Sequence, residues 1–269
     1  MQTVSTDGTT LHYAVDGEGP PVVFVTEAGL GGWSWGWQHR AVAGPYRSVV
    51  WDLRGTGRSE RPPGPYAMET LVADLEAILA AVDARAAHVV GAGLGGAIAL
   101  RAARASTRIE TVTVVGTPAD ETAFDGSALV VDRDETSQGD GVASDGDAFR
   151  RSTEALLSAD FRAAQPAVVD GIVDWRRDGD ADAAATRDQL AAFEEFDATD
   201  WGYEVTTPTA VVHGTDDAVV PVESAERLAD ALPNGAFVPI DGAAHLPQIE
   251  RSRAVNDHLR GFLNEHTDE

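Results

Sequence analysis

A chain of 269 residues with no cysteine, 44 acidic side chains and 20 basic ones carries a formal charge of −24, and every basic side chain is arginine. That balance excludes nucleic acid and anionic membrane surfaces as partners, because both are held by basic patches. The missing cysteine excludes disulfides and thiolate metal sites. The length fits one large α/β domain or such a domain carrying an insertion. No apolar run approaches the roughly 18 residues of a membrane span. The start, MQTVSTDGTT, has neither the basic region nor the apolar core of a signal peptide, so a cytoplasmic protein is expected.

Short β-branched runs predict strands at 10–15, 22–26, 47–52, 87–91, 110–116, 208–213 and 235–240. Amphipathic helices fall between them. Leu71, Val72, Leu75, Ile78, Leu79 and Val82 recur at helical spacing; further helices suit 95–105, 222–232 and 250–263, the last with Val255, Leu259, Phe262 and Leu263 as its stripe. The alternation predicts a mostly parallel sheet with helices on both faces. Residues 120–204 break it. An acidic stretch, 132–147, precedes helical patterns at 148–158, 161–177 and 181–197, with Phe149, Leu156, Leu157, Val168, Val169, Ile172 and Trp175 at helical spacing. We expect a core domain from 1–119 and 205–269, with 120–204 a helical cap over the sheet's C-terminal edge.

Ligands of an open parallel sheet bind beyond the carboxyl ends of its strands. Five places there stand out. In VVGAGLGGAIAL (89–100) a strand, a sharp turn and a helix follow in the context of a G-x-S-x-G nucleophile elbow; Gly91, Ala92, Leu94 and Gly95 fit, and Gly93 stands where serine belongs. TEAGLGGWSW (26–35) can turn backbone amides inward as oxyanion donors, while WSWGW packs the following helix. WDLRGTGRS (51–59) reads as a turn tied by an Asp52–Arg54 ion pair. HGTDDAVVP (213–221) places Asp217 after a strand. DGAAHLPQIE (241–250) places His245 after the last strand, where Asp217 orients it as a general base.

Taken together these segments resemble the α/β-hydrolase superfamily, in its cap-containing branch, from about residue 10 to 263. The order elbow, Asp217, His245 is that of the fold, and DLRGTGRS resembles its D-x-R-G-x-G-x-S turn. The resemblance implies an α/β-hydrolase fold, Asp217 as the acid, His245 as the base, the Leu94 amide as one oxyanion donor and the Leu30 amide as the second. It also implies a serine nucleophile that Gly93 does not supply. No serine lies within 87–103.

Three functions remain. The first is an enzyme in which the His245–Asp217 dyad and the oxyanion amides act on a small, partly apolar molecule without a covalent intermediate, the histidine activating water or taking a proton from the substrate. The second is a non-catalytic relative that binds a ligand or protein. The third is an inactivated serine hydrolase, for which Gly93→Ser alone restores esterase activity. Trp175, Phe193 and Phe196 are candidate ligand-facing residues of the cap. No cofactor is expected: GAGLGG matches G-x-G-x-x-G, with Glu110 near the required distance, yet it sits in mid-sheet where a dinucleotide fingerprint needs the first strand. The seven histidines show no H-x-H or H-x-x-x-H spacing, so no metal site is expected.

Abundant acid without lysine resembles proteins of salt-accumulating halophiles, in which salt screens self-repulsion. At 1 M salt the screening length is about 3 Å. The melting temperature is therefore expected to rise steadily from dilute buffer to about 1 M KCl; a flat or falling series in differential scanning fluorimetry would contradict this.

Overall fold

The computed structural model describes residues 1–132 and 145–267. Eight strands make one sheet: β1 (Gln2–Thr6), β2 (Thr9–Asp16), β3 (Pro21–Val25), β4 (Arg47–Trp51), β5 (Ala87–Ala92), β6 (Ile109–Val115), β7 (Thr209–Gly214) and β8 (Gly235–Ile240), in the spatial order β1-β2-β4-β3-β5-β6-β7-β8. From β4 to β8 all neighbours are parallel; β2 joins β4, and β1 joins β2, antiparallel. Every residue of β3, β5 and β7 is buried, as expected for central strands covered on both faces. The edge strand β1 is mostly exposed. Its polar sequence hid it from a pattern search, and its pairing starts from the turn at Asp7 and Gly8.

Helices α1 (Gly36–Val42), α2 (Met68–Ala81) and α3 (Leu94–Ala105) follow β3, β4 and β5. After β6 the described residues are helical or irregular until β7: α4 (Asp145–Leu156), α5 (Ala159–Ala164), α6 (Pro166–Gly179), α7 (Ala183–Leu190) and α8 (Ala198–Trp201). Residues 133–144, the middle of the acidic stretch, lie outside the described residues. Helices α9 (Val222–Ala231), α10 (Pro247–Glu250) and α11 (Ser252–Glu265) complete the chain. The expected helix at 161–177 is two helices. Pro166 opens α6, because proline has no N–H to continue the preceding turn. The pattern at 181–197 likewise ends at Leu190, and Asp197 starts α8 by accepting the Thr199 N–H at 2.9 Å.

Three polar ties hold the 145–204 helices over the loops that leave β3 and β8. The buried Gln189 amide accepts the Gly29 N–H (2.7 Å) and donates to Arg54 O and Thr56 Oγ1 (2.7 Å each). Asp180 accepts from Gly31 N and the Trp33 indole, and itself pairs with buried Arg176 at 2.7 Å. Glu250 accepts from Ser158 N (3.1 Å) and Ala244 N (3.0 Å). No helix among the described residues is long and apolar enough to cross a membrane.

The expected Asp52–Arg54 pair does not form. The Arg54 fork donates to both oxygens of Asp74 on α2 at 2.6 Å, while Asp52 accepts the Gly32 and Arg58 N–H groups. Asp74 is fully buried and requires a cation, whereas Asp52 is served by backbone amides. Removing one partner of a buried pair strands the other charge, at a cost of about 3–5 kcal/mol. Asp74→Ala should lower unfolding stability by that amount in urea titration, with Glu76→Ala, a half-buried neighbour in a surface ion pair with Arg108, costing no more than about 1 kcal/mol.

Candidate active site

The site is assembled at the carboxyl ends of β3, β5, β6, β7 and β8. Ladder pairs Val25–Gly91, Ala92–Val115 and Val115–Val212 bring the strand ends level, so the loops beyond them face one another. After β5 the chain reverses into α3 through Gly93, at φ +45° and ψ −109°. This is a conformation that glycine takes without the strain a side chain would bring. The turn is fixed by Gly93 N–H to Val115 O (2.9 Å) and by the Thr117 hydroxyl to Gly93 O (3.1 Å). It points the first free amide of α3, that of Leu94, into the site.

The occupant of that amide is Glu27, the second residue after β3. Its Oε1 accepts the N–H groups of Leu94 (3.0 Å) and Ala28 (2.6 Å). Its Oε2 lies 3.2 Å from His245 Nε2. A Cβ placed on Gly93 would fall on this carboxylate, within bonding distance of Oε2. The carboxylate oxygen thus stands where a hydroxyl on a residue-93 side chain would stand.

His245 is held from the other side. Its Nδ1 donates to Asp217 Oδ2 at 2.9 Å, and Asp217 Oδ1 accepts Val219 and Val220 N–H groups at 2.8 and 3.1 Å. Gly116, at φ +61°, leaves room for the ring: a Cβ there would lie 3.2 Å from its Cε1. Burial pulls the His245 pKa down, but the charges and hydrogen bonds of Asp217 and Glu27 outweigh it and push it up to about 10. The ring is therefore an imidazolium between two carboxylates. Burial likewise opposes ionisation of Asp217, yet the His245 charge brings its pKa below the ordinary value. The neighbouring His213, 3.3 Å from Asp217 Oδ2, is held low chiefly by burial; it stays neutral and donates Nε2–H to Val220 O at 2.9 Å. Glu27 and His245 are 1% and 3% exposed.

The structure brings Asp217, His245, Gly93 and Leu94 together and leaves Leu30 out. The Leu30 N–H closes a turn onto Glu27 O at 3.1 Å, so it is spent, and the second inward amide is that of Ala28. Glu27 was missed from sequence. Its one signal is an acid inside the otherwise apolar and glycine-rich run 22–32, where a solvated acid does not belong. The expectation that Gly93→Ser alone restores a serine site also changes, since the new side chain must first expel Glu27 from both amides and from His245. Trp175 is 45% exposed and packs on Trp33 and Trp37 at the surface. Phe193 stacks on Phe124, and Phe196 lines a separate cavity of about 430 Å³ with Met68, Arg101 and Trp201.

Comparison with known proteins gives a consistent result. A family model described as alpha/beta hydrolase fold matches residues 20–252. The putative carbamate hydrolase RutD of Azorhizobium caulinodans is 26% identical, with 95% of each chain covered. The non-heme chloroperoxidase of Streptomyces lividans is 32% identical, over 98% of this chain and 99% of that one. The crystal structure of an enol-lactonase from Burkholderia xenovorans superposes with a TM-score of 0.85 at 25% identity, over 98% of this chain and 100% of the other.

The raised His245 pKa makes a signed prediction. Its folded value, about 10, lies above the ordinary histidine value of about 6.5, so its contribution is complete below about pH 6.5 and is lost as pH rises through 10. With no lysine or cysteine in the chain, few other groups titrate there. Stability should fall from pH 7 to pH 10 in denaturant titrations, and His245→Gln should flatten that fall.

Proposed function

Because the chain belongs to the alpha/beta hydrolase fold family, we propose that it is a hydrolytic enzyme acting on a small, partly apolar molecule beneath the 145–204 helices. Glu27, His245 and Asp217 are its reacting set, with the amides of Leu94 and Ala28 as oxyanion donors. One observation carries this reading: the Glu27 carboxylate occupies the space of the missing residue-93 side chain, with one oxygen on both inward amides and the other on the imidazolium. A carboxylate is itself a nucleophile or base, so the absence of serine, cysteine or aspartate at position 93 does not empty the site of a reacting atom. The hydrolase names of RutD and the enol-lactonase agree with water as the second substrate.

A second reading has its own support. Glu27 satisfies the inward amides and the imidazole within a site nearly closed to solvent, as a plug in a non-catalytic relative would. The enzymatic reading requires the amides and the dyad to be competent. In Glu27→Ala/Gly93→Ser the hydroxyl gains its space, and hydrolysis of short p-nitrophenyl esters should exceed that of Gly93→Ser alone by about 100-fold or more, a fraction of the roughly 10⁶ that a serine triad contributes. Adding His245→Ala should abolish the gain. A folded double variant without esterase activity would rule out a working reaction centre here and leave the plug.

A further inference from the structure

We propose that a surface cup walled by Trp33, Trp37 and Trp175 binds a small, flat aromatic monocarboxylate. None of Glu27, Leu94, Asp217 or His245 lines this cup, so the proposal stands or falls independently of the reaction centre.

The sequence builds most of the cup in one short segment. Trp33, Gly36, Trp37, Arg40 and Ala41 fall at i, i+3, i+4, i+7 and i+8 across the 3₁₀ turn Gly32–Trp35 and α1. That spacing puts them on one helical face. The opposite face, with Ser34, Trp35, Gln38 and Val42, is buried. The outward face meets Trp175 of α6. The Trp175 ring centroid lies 6.1 Å from Trp33 and 5.9 Å from Trp37, with planes 40° and 67° apart, the separation and tilt that aromatic pairs prefer. The Trp33 indole is fixed by its N–H bond to Asp180 Oδ1 at 2.8 Å. Gly36 leaves the floor open, since a Cβ there would meet nothing within 4 Å. The hollow measures about 680 Å³, a size that takes small organic molecules.

The lining selects the ligand. It consists of the three tryptophans with Gly36, Arg40 and Ala41, and contains no acid in a chain that has 44. The cavities that include Met68, Leu259, Trp51 and Phe161 each have at least two acidic side chains in their walls. Arg40 is exposed and has no carboxylate partner among the described residues. Every polar side-chain group of the lining is therefore a donor, with no acceptor among them. Three indoles match an aromatic body, and a free guanidinium fork matches a carboxylate head. One arginine serves one carboxylate. A second negative charge would find no partner and would be repelled by the −24 charge of the chain, while a cation would face Arg40. A bound ring touches α1 on one side and α6 on the other, so it adds to the tie that Asp180 makes between α6 and the β3 loop.

The probe is 2-naphthoate, titrated calorimetrically at one fixed KCl concentration. Wild-type protein should bind it with a Kd of about 1 mM or tighter. The alcohol 2-naphthylmethanol, which keeps the ring and lacks the charge, should bind about fivefold more weakly. Arg40→Gln should erase that difference and leave the affinity for the alcohol unchanged. Trp175→Ala should weaken both probes about tenfold. Gly36→Leu, whose side chain enters open space, should weaken both by at least as much, with melting curves confirming that each variant is folded. A wild-type protein that binds no 2-naphthoate at about 10 mM overturns the proposal. So does binding left intact by Trp175→Ala and Gly36→Leu, because it then lies elsewhere on the molecule. Equal wild-type affinity for acid and alcohol, or tighter binding of 2-naphthylmethyl-trimethylammonium, overturns the assignment of a carboxylate.

Discussion

One buried cation between two buried carboxylates governs this structure. His245 sits with Asp217 on one ring nitrogen and Glu27 on the other, and the set carries one net negative charge in a place almost without water. Such a charge is costly unless each oxygen finds donors. The fold supplies them from the backbone: two amides to Asp217 Oδ1 and two to Glu27 Oε1. Those amides belong to loops after β3, β5 and β7, so the level ends of the parallel strands are what allow the charges to be buried. The same need explains Gly93 and Gly116, since a side chain at either crowds Glu27 or the ring.

The acid content of the chain divides along this line. Inside, each carboxylate described here has a specific match: Asp74 with Arg54, Asp180 with Arg176, Glu250 with Ser158 and Ala244, and Asp52 with the amides of Gly32 and Arg58. Outside, acids greatly outnumber arginines, and ion pairs such as Arg61 with Asp182 remain exposed. Salt screens exposed charges and reaches buried pairs far less. Ionic strength therefore acts on the self-repulsion of the surface while leaving the electrostatics of the site almost unchanged. Stability and site chemistry can respond to salt separately.

Much of this was legible in the sequence, for stated reasons. Of the seven strands read from β-branched runs, β3, β5 and β7 were found because parallel strands buried on both faces must be continuously apolar, and β2 because its apolar residues alternate. Helices α2, α9 and α11 were found because each has one apolar stripe, and α3 because it is apolar nearly all round. The eighth strand was not, because β1 is an exposed edge. The break at Pro166 was legible through proline chemistry but lost within a longer apolar pattern. Position in the chain brought Asp217 and His245 into view, since each follows a strand. Glu27 also follows a strand, yet as one acid among 44 it was indistinguishable until the fold set it against His245. The Arg54 partner failed for a similar reason: residues two apart are near in sequence, but burial decides which acid needs the guanidinium, and Asp74 is the deeper.

Glu27 and Gly93 are best understood as one feature. With any side chain at 93 the carboxylate has no room; with Gly93 and no acid at 27, the imidazolium loses a partner and two amides face an unfilled space. Each residue makes sense only in the presence of the other. The carboxylate reaches the space from β3, whereas a side chain at 93 would reach it from the β5–α3 turn, and the amides and the imidazole do not differ between the two routes. What the amides and imidazole recognise is an oxygen atom at a point, bearing charge or about to bear it. The backbone that delivers the atom sets which bonds it can form. An oxygen on a residue-93 side chain leaves the amides free for a substrate carbonyl, while the Glu27 carboxylate takes the amides with it.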